Sequence, residues 1–130
     1  MDRKIHNPWT WQDELGFVQA NEVAAATRTV YCSGQTAVDD DGRPTGGDMG
    51  AQMEKALDNL ETVLAQAGLT LADVMRMNAY VTDVQAYFEH MGPFNKRLAA
   101  AECRFAGSLV QVSGLALPEL VIELEATAVA

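Results

Sequence analysis

Apolar residues fall along the chain in two rhythms, and each predicts a kind of element. Over residues 48–67 they recur every three or four positions, at Met49, Met53, Ala56, Leu57, Leu60, Val63, Leu64 and Ala67. That is the repeat of a helix with one buried stripe. Asp48 suits its N-cap, where a carboxylate accepts from free backbone N–H groups, and Gly68 the position just past the C-cap. The methionines on the stripe read as core filling. Over Val74–Asp83 the rhythm changes to two. Met75, Met77, Ala79 and Val81 form an apolar face, and Arg76, Asn78, Tyr80 and Thr82 a polar one, as on a half-buried strand. Leu120–Val129 repeats the pattern. Ile122, Leu124, Ala126 and Ala128 share one face; Val121, Glu123, Glu125, Thr127 and Val129 share the other. Two acids two residues apart on a strand stand roughly 7 Å from each other. Holding them in mid-strand makes sense if that face meets a ligand or another subunit.

The remaining elements are shorter. Gly16–Ala20 and Thr27–Ser33 are predicted as the first two strands, with Asn21 and Ala24–Ala26 around the turn between them. Ser33-Gly34-Gln35 ends the second strand, and its glycine marks a bulge or a close backbone approach. Thr36–Gly47 is a polar loop. Its Asp39-Asp40-Asp41-Gly42 run lacks the spacing of a calcium loop and reads as a solvated turn. A second helix is expected over Val84–Ala101, capped by Asp83 and kinked or restarted at Gly92-Pro93. Ser108–Val112 reads as a short strand, separated from the terminal one by Gly114 and Pro118. Residues 6–11 form an extended leader, in which Trp9 and Trp11 are expected to clamp the N-terminus onto the body or a neighbour.

The order β-β-α-β-α-β-β puts two helices on one face of a mixed sheet of four or five strands, an α+β two-layer sandwich. The other face carries Thr29, Tyr31, Arg76, Asn78, Tyr80, Glu123 and Glu125. This mixture is too polar for a core and too rich in apolar and aromatic members for a plain wet surface. Such faces often meet copies of themselves, so a homo-oligomer with pockets between subunits is expected.

Composition narrows the functional classes. The chain has 130 residues, enough for one domain over 1–130, and 48% of them are hydrophobic. Its formal net charge is -9, which disfavours a nucleic-acid partner because phosphate binding draws on Lys and Arg. No apolar run is long enough to span a bilayer, and residues 1–6 lack a signal-peptide core, so no membrane association and a cytoplasmic location are expected. Cys32 and Cys103 form no C-x-x-C and share no metal-ligand spacing with His6 or His90. Neither a metal nor a cofactor is implied, and both thiols read as reduced and partly buried.

Several short segments stand in a telling order: Phe17-Val18-Gln19-Ala20, Ser33-Gly34-Gln35, Leu57-x-Asn59-Leu60, Ala67-Gly68, Val81-Thr82-Asp83 and Glu123-Leu124-Glu125-Ala126-Thr127-Ala128-Val129. Together they resemble the RidA/YjgF/UK114 family, also called the L-PSP or reactive-intermediate-deaminase family. The resemblance spans nearly the whole chain. It implies a chorismate-mutase-like fold, a homotrimer with clefts between subunits, and hydrolysis of 2-enamines and 2-imines to 2-keto acids and ammonia.

The resemblance also assigns roles. Glu123 matches the glutamate that handles the attacking water, a general-base task suited to a carboxylate. Ser33 and Gly34 match a corner that contacts substrate. The segment in which the family carries an arginine for the substrate carboxylate reads Phe105-Ala106-Gly107-Ser108, so Gly107 stands at the arginine position and Ser108 beside it. Phe17 replaces a tyrosine, and Met91 an asparagine. A bidentate guanidinium–carboxylate pair is strong, each charge-assisted bond contributing about 1.5–3 kcal/mol. Its loss is expected to weaken 2-imino-acid handling by tenfold to several thousandfold. Arg104 is the nearest cation in sequence and the first candidate substitute, and Arg76 the second. A surface or structural role is the plain reading of Arg104, and Glu123 or Glu125 could instead pair with a basic group across a subunit boundary. Two functions follow: a deaminase-type hydrolase with altered substrate preference, or a non-catalytic, regulatory trimer that binds a metabolite.

Overall fold

The terminal strand is the hub of the fold in a computed structural model that describes residues 1–130. In chain order the elements are β1 Asp2–His6, β2 Ala20–Ala24, β3 Thr29–Gln35, α1 Met49–Gln66, β4 Val74–Val81, α2 Val84–Ala100, β5 Leu109–Gln111 and β6 Ile122–Val129. β6 lies between β3 and β4 and pairs antiparallel with both. β5 completes the sheet parallel to β4, giving the order β3-β6-β4-β5.

One face of this mixed sheet is the core. Ile122, Leu124, Ala126 and Ala128 of β6 are buried, as are Met77, Ala79 and Val81 of β4. Met53, Leu57, Leu60 and Leu64 of α1 and Phe94 and Leu98 of α2 cover them in one cluster. Burying a side chain of this size contributes about 1.5–3 kcal/mol, so this layer dominates the stability. Asp48 caps α1 by accepting from the Ala51 N–H, and Asp83 caps α2 by accepting from Gln85 and Ala86. Arg97 of α2 reaches Glu54, Asp58 and Glu61 of α1 at 2.8, 2.7 and 3.2 Å and ties the two helices together.

Two side-chain amides, buried Gln52 and half-buried Asn59, hold loops to α1. The Gln52 amide donates to the carbonyls of Gly47 and Glu119 and accepts from the Val121 N–H. Asn59 donates to the Thr36 and Val38 carbonyls and so fixes the start of the polar loop. No helix is long and apolar enough to cross a membrane.

Three expectations need correction. The first strand is not Gly16–Ala20. Residues 13–15 form a single 3-10 turn, and the strand is Ala20–Ala24, with Asn21 inside it. It pairs with β1, an additional strand, in a separate two-stranded ribbon. β1 is mostly polar, so its alternation is faint; the ribbon is fixed by side chains reaching the body, with Arg3 donating to Asn21 and to the carbonyls of Ala72 and Arg104. Second, Gly92-Pro93 does not restart α2, which runs unbroken with Pro93 inside. Pro93 is exposed, and the missing N–H bond is outweighed by the burial of Phe94 and Leu98 just beyond it. Third, the tryptophans do not clamp the leader within the chain. Trp9 and Trp11 are 56% and 60% exposed, although Trp11 meets the Phe17 ring edge-on at 5.9 Å. Fully buried Gln12 does the holding, donating to the Trp9 carbonyl and accepting from Gln19.

Candidate functional site

The residues singled out from the sequence gather in three places. The first is the corner where β3 meets β6. The register of that pair shifts between Cys32 and Gln35, so Ser33-Gly34 bulges as the glycine suggested. What approaches Gly34 is Glu123. A Cβ at Gly34 would lie 2.6 Å from Glu123 Oε1, so the acid rests directly on the glycine's backbone. Glu123 is half-buried, while its neighbour Glu125 stands exposed on the same outward face.

Glu125 is held differently. One of its oxygens accepts from Asn78 Nδ2 at 3.1 Å and from the Tyr80 hydroxyl at 2.9 Å. Those hydrogen bonds, Asn78's first, hold the Glu125 carboxyl below the usual carboxylate range, and the bond to Glu125 pushes the Tyr80 phenol up. Asn78 Oδ1 in turn accepts from the Ser108 N–H at 3.0 Å. Asn78 thus links the acid of β6 to the start of β5. Glu123 takes part in none of these bonds. Arg76 and Tyr31 share a shallow hollow of about 130 Å³ with Glu125, and Tyr31 is 82% exposed.

The second place is a cavity of about 250 Å³ between α2 and the β4–β5 edge. Phe17, Met91, Gly107 and Ser108 all line it, four of the expected ligand-contacting residues. Met77 and Ala79 belong to the apolar face of β4, and aromatic side chains of α2 and Phe105 join them. No charged side chain lines this cavity. Gly107 is pressed onto β4: a Cβ there would overlap the Met77 carbonyl oxygen, whose carbon is 2.7 Å away. With this backbone no side chain fits at that position, let alone a guanidinium. Tyr87, also in the lining, has its phenol pushed to about 12 by burial.

Arg104 lies in the third place. It borders an open hollow of about 730 Å³ beside the ribbon, with Arg3, Asp13 and Glu102. Its carbonyl accepts from Arg3 and from Asn21 Nδ2. This hollow is larger than the cavity at Gly107, but of the expected substrate-contacting residues it is bordered by Phe17 alone, whereas four of them line the smaller cavity, so the smaller one is the better site. Phe17 borders both. Neighbouring Cys103 is buried, and burial pushes its thiol to about 12, leaving it protonated and unreactive near neutrality.

Strand order separates the first two places. β4 lies between β6 and β5, so Glu123 and Gly107 are two strand spacings apart, roughly 10 Å across the sheet. One chain therefore supplies a carboxylate corner and a separate apolar cavity, each incomplete. Sequence reasoning missed the Asn78–Tyr80 clamp on Glu125, although both residues sit on the polar face it had identified. It also left Tyr87, Phe88 and Phe94 without a role; their clustering on α2 was the available signal.

Residues 14–130 match the family model described as Endoribonuclease L-PSP. Among solved structures, YyfB of Yersinia pestis, from the conserved Rid protein family, is 36% identical. It covers all of both chains with a TM-score of 0.88. The mitochondrial protein MMF1 of Saccharomyces cerevisiae is 26% identical over 109 residues, 84% of this chain and 73% of that protein. The mitochondrial protein mmf1 of Schizosaccharomyces pombe is 33% identical over 67 residues, 52% of this chain and 41% of that protein.

Proposed function

The chain belongs to the Endoribonuclease L-PSP family, which includes the Rid and YjgF proteins, and from that premise we propose that it hydrolyses C=N bonds of small enamines or imines in clefts between the subunits of a homotrimer. The observation that carries this reading is the division of the candidate site. Glu123 on Gly34 lies at one side of the sheet and the Gly107 cavity at the other. A second copy packed on the open face and reaching round the β5 edge would bring its Ser33–Gly34–Glu123 corner to the cavity, which lies between α2 and that edge.

The chemistry of such a cleft is short. Glu123 accepts a proton from water as the water oxygen bonds to the imine carbon. The nitrogen is then protonated, the C–N bond breaks, and ammonia leaves behind a carbonyl. A glutamate that takes no share in the Asn78–Tyr80 bonds is free for this work, whereas Glu125 is tied down by them. Gly107 supplies no cation for a substrate carboxylate, so substrate preference differs from that of relatives with an arginine there. The family description also names a ribonuclease. A net charge of -9 and a charge-free cavity weigh against that activity in this chain.

Imines generated in situ by an amino-acid or amine oxidase provide the test. Purified protein is expected to accelerate ammonia release over buffer for some imine, and Glu123→Gln to abolish the gain. Absence of any acceleration across chain lengths would remove the hydrolase reading. The uncharged lining supports one other function, a trimer that binds a metabolite without turning it over. In that case ligands raise the melting temperature while releasing no ammonia.

A further inference from the structure

We propose that the cavity beside Gly107 selects imines that carry an aromatic tail and no carboxylate, arylalkyl imines of the kind formed from 2-phenylethylamine. The inference rests on the hydrolase reading above and specifies its substrate class.

Size sets the first limit. The cavity measures about 250 Å³. An apolar cavity of about 150 Å³ already holds a benzene ring. A phenyl group with a two-carbon arm therefore fits, and a much smaller ligand leaves apolar walls unfilled. The walls suit a ring. Phe17, Phe94 and Phe105 line the space, and Tyr87 meets Phe94 edge-on at 6.2 Å, the geometry aromatic pairs prefer. Phe88 is 47% exposed and also borders it, extending apolar surface towards solvent.

Charge sets the second limit. A carboxylate entering this space would find no cation in the lining. None is available at Gly107, because any side chain there would run into the Met77 carbonyl. The nearest guanidinium in sequence, that of Arg104, borders the separate hollow beside the ribbon. Arg76 borders the outward hollow with Glu125 and is not in this lining, and in the proposed arrangement the cleft gains the acid Glu123 from the adjoining copy. An acidic substrate would be desolvated against apolar walls and repelled by that acid. A protonated imine is instead attracted to it. The cleft thus favours a ligand apolar at one end and neutral or cationic at the other.

The reaction balances without further reagents. The imine and one water give an aldehyde and ammonia. The water oxygen bonds to the imine carbon, the C–N bond breaks, and the nitrogen keeps the protons it receives from water.

Three imines separate the ideas. 2-Phenylethanimine is made from 2-phenylethylamine with an amine oxidase. The imines of L-phenylalanine and L-alanine are made with an amino-acid oxidase. The expected order of acceleration over buffer is 2-phenylethanimine first, then the phenylalanine imine, with the alanine imine at least tenfold below the first. Met91→Arg places a cation in the lining and should move the preference towards the acidic imines. If that variant fails to fold, Phe88→Arg on the exposed rim makes the same test. Turnover with the alanine imine fastest would overturn this inference and leave the hydrolase reading standing. If none is turned over, titration calorimetry with 2-phenylethylamine and with pyruvate decides. Binding of the amine, weakened at least tenfold by Met91→Arg, retains the ligand class while the hydrolase reading falls. Tighter binding of pyruvate, or binding of neither, ends both.

Discussion

Gly34 and Gly107 show how one residue type answers two different demands. At Gly34 the obstructing atoms belong to the end of the Glu123 side chain, which can swing away. At Gly107 the obstruction is the β4 backbone itself. Gly34→Ala is therefore expected to leave the urea midpoint nearly unchanged, within about 1 kcal/mol, while displacing Glu123 and reducing imine hydrolysis. Gly107→Ala is expected to cost about 2 kcal/mol or more, because the sheet must open to admit the methyl group. Equal stability of the two variants would refute this distinction. The buried thiol makes a second prediction at this scale. Cys103 titrates in the fold at about 12, against 9.0 when free. Its folded value is raised, so its contribution is fully present below pH 9. It drains away as pH climbs from 9 towards 12, where the unfolded chain ionises first. The expected slope in that window is about 1.4 kcal/mol per pH unit, measurable by denaturation at stepped pH. Cys103→Ala should flatten it. Tyr87, raised from 10.0 to about 12 by burial, adds in the same direction at the upper end and survives that substitution.

Between elements, the contact most open to test is Arg97. Burial alone would lower its pKa, but its hydrogen bonds to Glu54, Asp58 and Glu61 outweigh that and raise it. The side chain is 25% exposed, so solvent screens part of the interaction. Removing it leaves three carboxylates along one side of α1 with no counterion. Arg97→Ala is expected to cost about 1–2 kcal/mol by urea denaturation, Arg97→Lys less, and 1 M salt should narrow the gap. An unchanged midpoint would show that the α1–α2 packing alone holds the layer. The helices and the strands β4 and β6 were legible in the sequence because each buries one continuous face, and burial imprints a period of 3.6 or 2 on the residue types. The ribbon was not. β1 and β2 bury little, and Arg3 and Asn21 are anchored on carbonyls of Ala72, Met75 and Arg104, far along the chain. Polar bonds of that kind leave no periodic trace. Pro93 misled for the related reason that a local breaker was judged without the packing that overrides it.

For the whole molecule the proposed trimer makes the clearest prediction. Sedimentation should give three times the 14.0 kDa chain mass. Tyr31→Glu, on the open face beside Glu125, is expected to shift the protein towards monomer and to abolish hydrolysis with it. Complementation gives a sharper reading. Glu123→Gln lacks the acid, and Met91→Trp fills the cavity. If a cleft takes its acid from one copy and its cavity from the next, unfolding and refolding the two variants together should restore part of the activity that neither has alone. No recovery in a mixture shown to be a mixed trimer would place both halves within one chain and sink the arrangement.

By itself the sequence determined the two layers, which faces are buried, the helix caps, and the family to which the chain belongs. These follow from local periodicity and from short matches that keep their order along the chain. Tertiary structure alone decided that Glu123 rests on Gly34, that Arg104 borders a different hollow from Gly107, and that Gly107 is sealed by the Met77 carbonyl. Each is a contact between segments remote in sequence, fixed by strand order and register. No pattern of neighbouring residues encodes which backbone will lie a few ångströms away.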